Sequence, residues 1–283
     1  MELQFTKMSG AGNDFIVFNA SNQNLILSKE QIQLLCDRHF GIGADGILII
    51  KSSEKSDFDL LYFNADGSSD VLCVNGARCA IMYAYKNNII SQKCNFSFIN
   101  KIYNGEIVSN NLVKINLEYN PIVKLNQTLK FDEIELNYHY VDLDSKHIII
   151  PYETLLNKLL KFYTEDEKFD RMNIEKIGKK LRFHNDFQPD GVNVNFVLKK
   201  EGNTLSIRTY ERGVEGETLA CGSGSISSAI VYSVINNLNP PIFIETRSKK
   251  IFEIDFKKTN NIFNNISLIG EASIIFEGKI NLQ

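Results

Sequence analysis

The sequence predicts an α/β (α+β) protein of two pseudo-symmetric domains, each a mainly antiparallel sheet wrapped around one central helix. Three observations predict it. Short strand-like runs rich in Val, Ile, Phe and Leu recur along the 283 residues, separated by Gly, Asn and Asp turns. Two runs, ARCAIMYAY and SISSAIVYSVI, are apolar round most of a helical circumference, which marks a helix buried in a core. Each follows a cysteine and a glycine turn, LCVNGARC at residues 72–79 and ACGSGS at 220–225, and each turn follows a strand-turn segment, LLYFNADG or SIRTYERG.

The elements run as follows. LQFTKM reads as a strand, SGAGND as a turn of small residues, and FIVFNA as a second strand. Ser28 opens a helix with Gln31 as its capping-box partner, burying Ile32, Leu35 and Cys36 and stopping near Gly41. Gly41, Gly43 and Gly46 spell GxGxxG, but that fingerprint must follow a strand and open a helix. Here a helix precedes it and strand 47–51 follows, so it is a turn and NAD binding is discounted. DFDLLYFNADG is a strand ending in a turn. Strands are expected near 96–100, 105–109 and 112–118, and Asn120–Pro121 marks a domain boundary. The second domain opens with strands near 122–150. A charged helical region over 152–182 contains EDEK as a solvated face or loop. VNVNFVLKK and TLSIRTYERG follow as strands, then the second cysteine turn, then strands near 241–256 and 266–282.

Composition narrows the function classes. With 43 % hydrophobic and 23 % charged residues the chain can bury a core without staples. A net charge of −3 leaves no basic footprint for nucleic acid or an anionic membrane. No apolar run reaches membrane-spanning length, and MELQFTKMSG lacks a signal-peptide core, so the cytoplasm is expected. The five cysteines, Cys36, Cys73, Cys79, Cys94 and Cys221, are an odd set without disulfide-framework spacing. They are expected as free thiols in a reducing compartment. No CxxC pair occurs and His39, His139, His147 and His184 are scattered, so no metal site is expected. Cys36, Cys79 and Cys94 read as small buried hydrophobes.

Cys73 and Cys221 read differently. A helix N-terminus exposes backbone N–H groups and partial positive charge, which hold a carboxylate and lower the pKa of a nearby thiol. Two such ends could grip one substrate carboxylate and set two sulfurs on opposite faces of the adjacent carbon. That suits two-base inversion of a stereocentre: one thiolate removes the α-proton and the other thiol returns one. The bland alternative makes both cysteines core residues at tight turns.

The segments GAGNDF, DRHFGIGADG, NADG, CVNGARC, GVNVNF and ERGVEGETLACGSGS resemble, in order and over nearly the whole chain, the diaminopimelate epimerase family. The resemblance implies a two-domain fold with the active site in the cleft between the domains, and interconversion of LL- and meso-diaminopimelate without metal or other cofactor. It further implies an amino-acid substrate, a homodimer, and a last strand, EASIIFEGKINL, that rejoins the first domain. The domains are then 1–119 with 271–283, and 120–270. Cys73 and Cys221 match the acid/base pair. Backbone N–H groups at Val74, Asn75, Gly222 and Ser223 would hold the reacting carboxylate. Asn13, Asn64 and Asn193 match side chains on the substrate's polar groups, and Glu211 and Arg212 match the pair beside the second cysteine. Arg212 suits a distal carboxylate. Glu211 suits the substrate ammonium and, with His147, influence on the thiol. Arg78 reads as structural.

Two departures from the family pattern stand out. Val74 replaces a glycine after the first cysteine, where a positive φ would strain a β-branched residue. The family's Gly-Asn-Pro-His turn is DSKH here, so Ser145 stands where an asparagine holds the distal end of the substrate, and Lys146 replaces proline. Two alternatives therefore stand beside diaminopimelate epimerisation: a related racemase of another amino acid such as histidine, and a catalytically silent amino-acid-binding protein.

Overall fold

The structure is a computed structural model that describes residues 2–69, 71–158 and 168–282. Its elements run β1 (Glu2–Gly10), β2 (Asn13–Asn19), α1 (Lys29–Cys36), β3 (Gly46–Lys51), β4 (Phe58–Asn64), α2 (Val74–Lys86), β5 (Lys93–Phe98), β6 (Lys101–Ser109), β7 (Leu112–Leu117), β8 (Ile122–Phe131), β9 (Ile134–Asp142), β10 (Lys146–Pro151) and α3 (Tyr152–Lys158). There follow α4 (Ile174–Arg182), β11 (Asn193–Lys199), β12 (Thr204–Glu211), β13 (Gly216–Thr218), α5 (Gly222–Ile235), β14 (Ile242–Glu245), β15 (Ile251–Thr259), β16 (Ile262–Glu271) and β17 (Ser273–Asn281). Of the charged helical region, residues 159–167, which include most of EDEK, lie outside the described residues.

Two compact units result. One holds the described residues up to Leu117 together with those from Ile269 onward; the other runs from Glu118 to Leu268. The sequence places these divisions at 119/120 and 270/271. In the structure the first falls where β7 ends, before the Asn120–Pro121 turn, and the second falls inside β16.

The two units repeat one pairing plan. In the first, β1–β2 is antiparallel, β2–β3 parallel, β3–β4 antiparallel, β4–β5 parallel and β5–β6 antiparallel. In the second, β9–β10, β10–β11, β11–β12, β12–β14 and β14–β15 follow the same order. A parallel pair needs a crossover. In the first unit α1 and α2 are those crossovers; in the second α3 with α4, and then α5, take their places. β17 completes the first sheet by pairing antiparallel with β1, from Glu2 opposite Asn281 to Ser9 opposite Ser273.

Helix and strand chemistry follow from burial. α2 buries every residue from Val74 to Ala84, and α5 buries Gly222 and Gly224 through Ser233. Their near-continuous apolar sequence is therefore a requirement of being enclosed, not of amphipathicity. FIVF in β2 and ILII in β3 are buried on both faces, Phe15 and Leu48 against α2, and Ile16, Phe18, Ile47 and Ile49 with Ile32 and Leu35 of α1. The core of the second unit joins Leu136, Ile148, Ile150, Val194 and Phe196 of its sheet to Ile174, Ile177 and Leu181 of α4.

The Ser28 capping box forms: Ser28 Oγ accepts from the Gln31 N–H, and the Ser28 N–H donates to Gln31 Oε1. The helix ends at Cys36, short of the expected stop near Gly41. Asp37 is the reason. Its carboxylate accepts from the N–H groups of His39 and Phe40, both at 2.7 Å, and that local turn outcompetes a further helical turn. The remaining residues to Gly46 form a turn into β3, with Gly43 at φ +79°.

Candidate active site

Cys73 is the N-cap of α2 and Cys221 the N-cap of α5. In each, the capping sulfur accepts from the N–H of the glycine three residues on: Gly76 N at 3.5 Å and Gly224 N at 3.4 Å. Oxygen-bearing side chains are the preferred caps. Sulfur at both ends of a structural repeat gives up some capping stability for a thiol at the positive end of a helix. The glycines are required by packing. A Cβ on Gly76 would sit 3.1 Å from Leu48 and 3.3 Å from Phe15, and one on Gly224 would sit 2.3 Å from Asn195 Oδ1.

Val74 is the first helical residue of α2 and is not at positive φ, so the strain expected of a β-branched residue does not arise. The N–H groups of Val74 and Asn75, like those of Gly222 and Ser223, belong to the first turn, outside the helix's own ladder.

Around Cys73 the first unit builds a polar chain. The Cys73 thiol donates to Asn13 Oδ1 at 3.5 Å, and Asn75 Nδ2 donates to the same oxygen at 3.2 Å. Asn13 Nδ2 donates to Asp45 Oδ2 at 2.7 Å. Arg38 pairs with Asp45 at 2.7 Å and with both oxygens of Asp14 at 3.0 and 2.8 Å, and Lys7 pairs with Asp14 at 2.7 Å and donates to Gly43 O. Burial opposes the Asp14 charge, but hydrogen bonds from Arg38 and Lys7 outweigh it and hold that carboxyl at about 2. At the other end Arg78, fully buried, donates to Asn75 Oδ1 at 2.9 Å and to Val74 O at 3.2 Å. Burial lowers its pKa to about 10, with Cys79 and Cys73 acting in the opposite sense, so it stays charged near neutrality. Asn64 closes β4, accepting from Tyr62 Oη and donating to Ser68 Oγ at 2.8 Å.

The candidate residues His147, Asn193 and Glu211 of the second unit stand at the strand positions of Phe15, Gly46 and Asn64 in the first, so only Glu211 matches another candidate. Phe15 pairs with Gly46 across β2–β3, and His147 pairs with Asn193 across β10–β11; Asn64 ends β4 and Glu211 ends β12. Asn193 joins two segments: its Nδ2 donates to Lys146 O at 3.0 Å and its Oδ1 accepts from the Arg212 N–H at 2.9 Å. Glu211 accepts from Thr218 Oγ1 at 2.8 Å. The loop that carries Glu211 and Arg212 is pinned by Arg182 to Glu215 at 3.0 Å, and by a two-point pairing of Arg208 with Glu217, each at 2.6 Å. Ser223 Oγ lies 3.6 Å from Cys221 Sγ.

The DSKH turn is built without its glycine. Asp144 takes the left-handed conformation at φ +63°, one of the few side chains that tolerates it. Lys146 pairs with Asp190 at 2.7 Å. His147 is fully buried, and burial, then Arg212, lowers its pKa to about 3. Its tautomer follows from its neighbours. Asn195 Oδ1 accepts from Thr209 Oγ1 at 2.9 Å, so Asn195 Nδ2 donates to Ile148 O at 3.0 Å and to His147 Nδ1 at 3.2 Å. The ring proton is then on Nε2 and is donated to Ser145 Oγ at 2.9 Å. His147 is an uncharged ring near neutrality.

Cys36, Cys79 and Cys94 are buried, and burial raises all three thiols, Cys36 and Cys94 to about 12. Sequence reasoning did not single out Asp14, Asp45, Arg38, Lys7, Asn195 or Thr209 as part of the site. The signal for Asp14, Asp45 and Arg38 was the length of DRHFGIGADG and GAGNDF, more than two turns require; Lys7 lies in the preceding strand and carried none. Among the described residues no group of three or more His, Cys, Asp or Glu is placed to hold a metal ion, and no helix is long and apolar enough to cross a membrane.

Comparison with known proteins agrees with this geometry. The model of the family described as diaminopimelate epimerase matches residues 5–116 and 162–275. The diaminopimelate epimerases of Aquifex aeolicus and Flavobacterium psychrophilum are each 34 % identical to the chain. The first alignment covers 99 % of this chain and 98 % of the relative, the second 98 % and 100 %. Among solved structures, a Bacillus anthracis phenazine biosynthesis protein of the PhzF family shares the fold with a TM-score of 0.74 at 13 % identity, covering 100 % of both chains. A hydroxyproline epimerase from Agrobacterium vitis, solved with bound trans-4-hydroxy-L-proline, does so with a TM-score of 0.70 at 10 % identity, covering 99 % of this chain and 92 % of the other. A repeated sheet with a cysteine-capped central helix in each half, together with full-length relatives at this identity, places the chain in the diaminopimelate epimerase family of isomerases.

Proposed function

We propose that this chain interconverts LL- and meso-2,6-diaminopimelate by two-base proton transfer at one α-carbon, each unit being one epimerase domain. The observation that carries the reading is the repeated cysteine cap: Cys73 and Cys221 hold the same place in two equivalent units, each on the N-terminus of a buried helix. As thiolate, one cysteine takes the α-proton and becomes a thiol. As thiol, the other gives its proton to the opposite face of the carbanion and becomes a thiolate. The reverse reaction exchanges the roles. N–H groups at Val74, Asn75, Gly222 and Ser223 meet the carboxylate on which negative charge builds.

Asn13, Asn64 and Asn193 bind the substrate's polar groups. Support comes from their inventories: each spends its oxygen and one amide N–H within the protein and keeps one N–H for a ligand. Glu211 accepts from the substrate ammonium, and Arg212 takes the distal carboxylate. Glu211 and His147 tune the thiols, His147 as a neutral ring. Ser145, whose Oγ accepts from His147 Nε2, keeps its own hydroxyl proton to donate to a distal carboxylate. The reading uses no cofactor and includes a homodimer, as the family resemblance implies, acting in the cytoplasm.

The test is purified protein in deuterated buffer under reducing conditions, with LL-diaminopimelate and a panel of amino acids. Solvent deuterium is expected at the α-carbon as meso product appears, and Cys73→Ala and Cys221→Ala are expected to lose about 10²-fold or more of the rate. Exchange with histidine but not diaminopimelate would select a racemase of another amino acid. No exchange with any substrate would select a binding protein. Full turnover by either cysteine variant would remove the two-base assignment.

A further inference from the structure

The hydrogen bonds that lead from Arg78 past Cys73 to Asp45 run in one direction. Arg78 donates to Asn75, Asn75 donates to Asn13, and Asn13 donates to Asp45, which is itself held by Arg38. An arginine can only donate and a carboxylate can only accept. Arg78 therefore fixes Asn75 with its oxygen inward, Asn75 then fixes Asn13 with its oxygen toward Nδ2 of Asn75, and Asp45 fixes the opposite face of the same amide. Asn13 is locked from both ends, and the atom it is made to present to Cys73 Sγ is Oδ1, at 3.5 Å.

That atom matters because of what it prefers. A carbonyl oxygen accepts from a thiol but repels a thiolate. A freely rotating asparagine would turn its NH2 toward a thiolate and stabilise it. The lock denies Cys73 that donor, while Gly76 N–H at 3.5 Å and the buried Arg78 charge favour the thiolate. Arg78 and Cys79 on α2 interact electrostatically with Cys73, and Asp45 before β3, Arg38 after α1, Asp14 on β2 and Lys7 on β1 form the charged cluster behind Asn13. A two-base enzyme must keep one proton on its pair of cysteines, which requires their environments to differ. Next to Cys221 the structure places Ser223 Oγ and the Gly224 N–H, with the neutral Thr209–Asn195–His147 chain beyond Gly224.

We propose that Asp45 and Arg78 are positioning residues for the reaction, which act through the orientation of the Asn13 carboxamide to set the proton affinity of Cys73 and distinguish it from Cys221. Through Asn13 both residues work toward the thiol, while the Arg78 charge acts directly on the sulfur toward the thiolate. The proposal rests on the reading of Cys73 as one of the two bases, but its test does not depend on turnover.

The experiment measures the alkylation rate of Cys73 by iodoacetamide against pH in the intact protein, by mass spectrometry of the Cys73 peptide, with Cys221 followed in the same digest. Asp45 is 43 % exposed in its side chain, so its replacement is tolerable to the fold. Asp45→Ala removes one of the two holds on Asn13 and is expected to lower the Cys73 midpoint by about 0.5–1 pH unit. Asp45→Asn keeps an acceptor for Asn13 and is expected to stay nearer the parent than Asp45→Ala. Arg78→Gln keeps a donor for Asn75 and removes the charge, and is expected to raise the midpoint. The Cys221 midpoint is expected to stay in place throughout. A Cys73 midpoint that Asp45→Ala leaves unmoved or raises would overturn the proposal, even if the melting temperature changes. So would an Asp45→Asn midpoint equal to that of Asp45→Ala, which would show charge alone at work. Failure of the two-base reading itself is seen separately, as full turnover in Cys73→Ala.

Discussion

Single residues here carry their chemistry through the neighbours that fix them. His147 is the clearest case. Its ring is enclosed, accepts from Asn195 and donates to Ser145, an arrangement open only to the neutral form. Burial lowers its pKa to about 3, while an unfolded chain offers the ordinary value near 6.5. Between those values the unfolded state binds the proton and the folded state does not. His147 therefore contributes stability above pH 6.5, and that contribution is lost as pH falls from 6.5 toward 3. Urea midpoints at pH 7.5 and 5.0 check this. The parent is expected to lose stability over the interval, and His147→Gln is expected to lose measurably less of it. Equal losses in both proteins would place the acid sensitivity elsewhere. The sequence shows a histidine before III but not its charge state. That is settled by Asn195, 48 positions away, and by Thr209, which orients Asn195. The same holds for Asn13, whose partner Asp45 lies 32 positions on. Side chains with two possible orientations are legible in sequence only once their long-range partners are known.

At the scale of elements, the cysteine-capped helices were legible because their sequence is dominated by one requirement, complete burial. The spacing of cysteine and glycine was legible too, since the glycine three residues on is both the donor to sulfur and the point of closest approach to the sheet. Gly224 tests this. A methyl group there would stand 2.3 Å from Asn195 Oδ1 and 3.2 Å from Cys221 Sγ. Asn195 cannot retreat without releasing His147, Ile148 and Thr209. Gly224→Ala is therefore expected to cost about 1–3 kcal/mol despite the better helix propensity of alanine, and to slow alkylation of Cys221. Denaturant titration and the alkylation rate read the two effects. A neutral or stabilising alanine would mean that the strand yields, and that the glycine serves only the turn. The end of α1 was less legible. Nothing in the spacing of Ile32, Leu35 and Cys36 says that Asp37 will fold its carboxylate over the next two N–H groups.

The whole molecule repeats one pairing plan twice, and the sequence echoed it only near the cysteines, where chemistry and burial constrain residue type most tightly. Strand order is carried by crossovers rather than by residue identity, so most of the repeat is invisible at the level of residues. One connection breaks the repeat: β17 is the last strand of the chain, yet it pairs with β1, the first. Phe5 packs its ring edge against Phe276 at 5.9 Å, and Gly278 lies directly under Phe5, where a Cβ would meet the ring at 2.7 Å. Ile280 and Leu282 pack on the cluster of Leu3, Phe5, Ile16 and Phe18 beneath α1. β1 therefore has β2 on one side and depends on the chain's end for the other. It also carries Lys7, one of the two cations on Asp14. A chain ending after Glu271 is expected to lose hydrogen-exchange protection along β1 and, through Lys7 and Asp14, order at Asn13 and Cys73. The amides of β10, β11 and β12, which pair among themselves, are expected to keep theirs. Adding a synthetic peptide of residues 272–283 is expected to restore protection of β1, because the missing contribution is a strand with its own register rather than a covalent link. Full protection of β1 in the truncated chain would mean that pairing with β2 alone holds that strand in place.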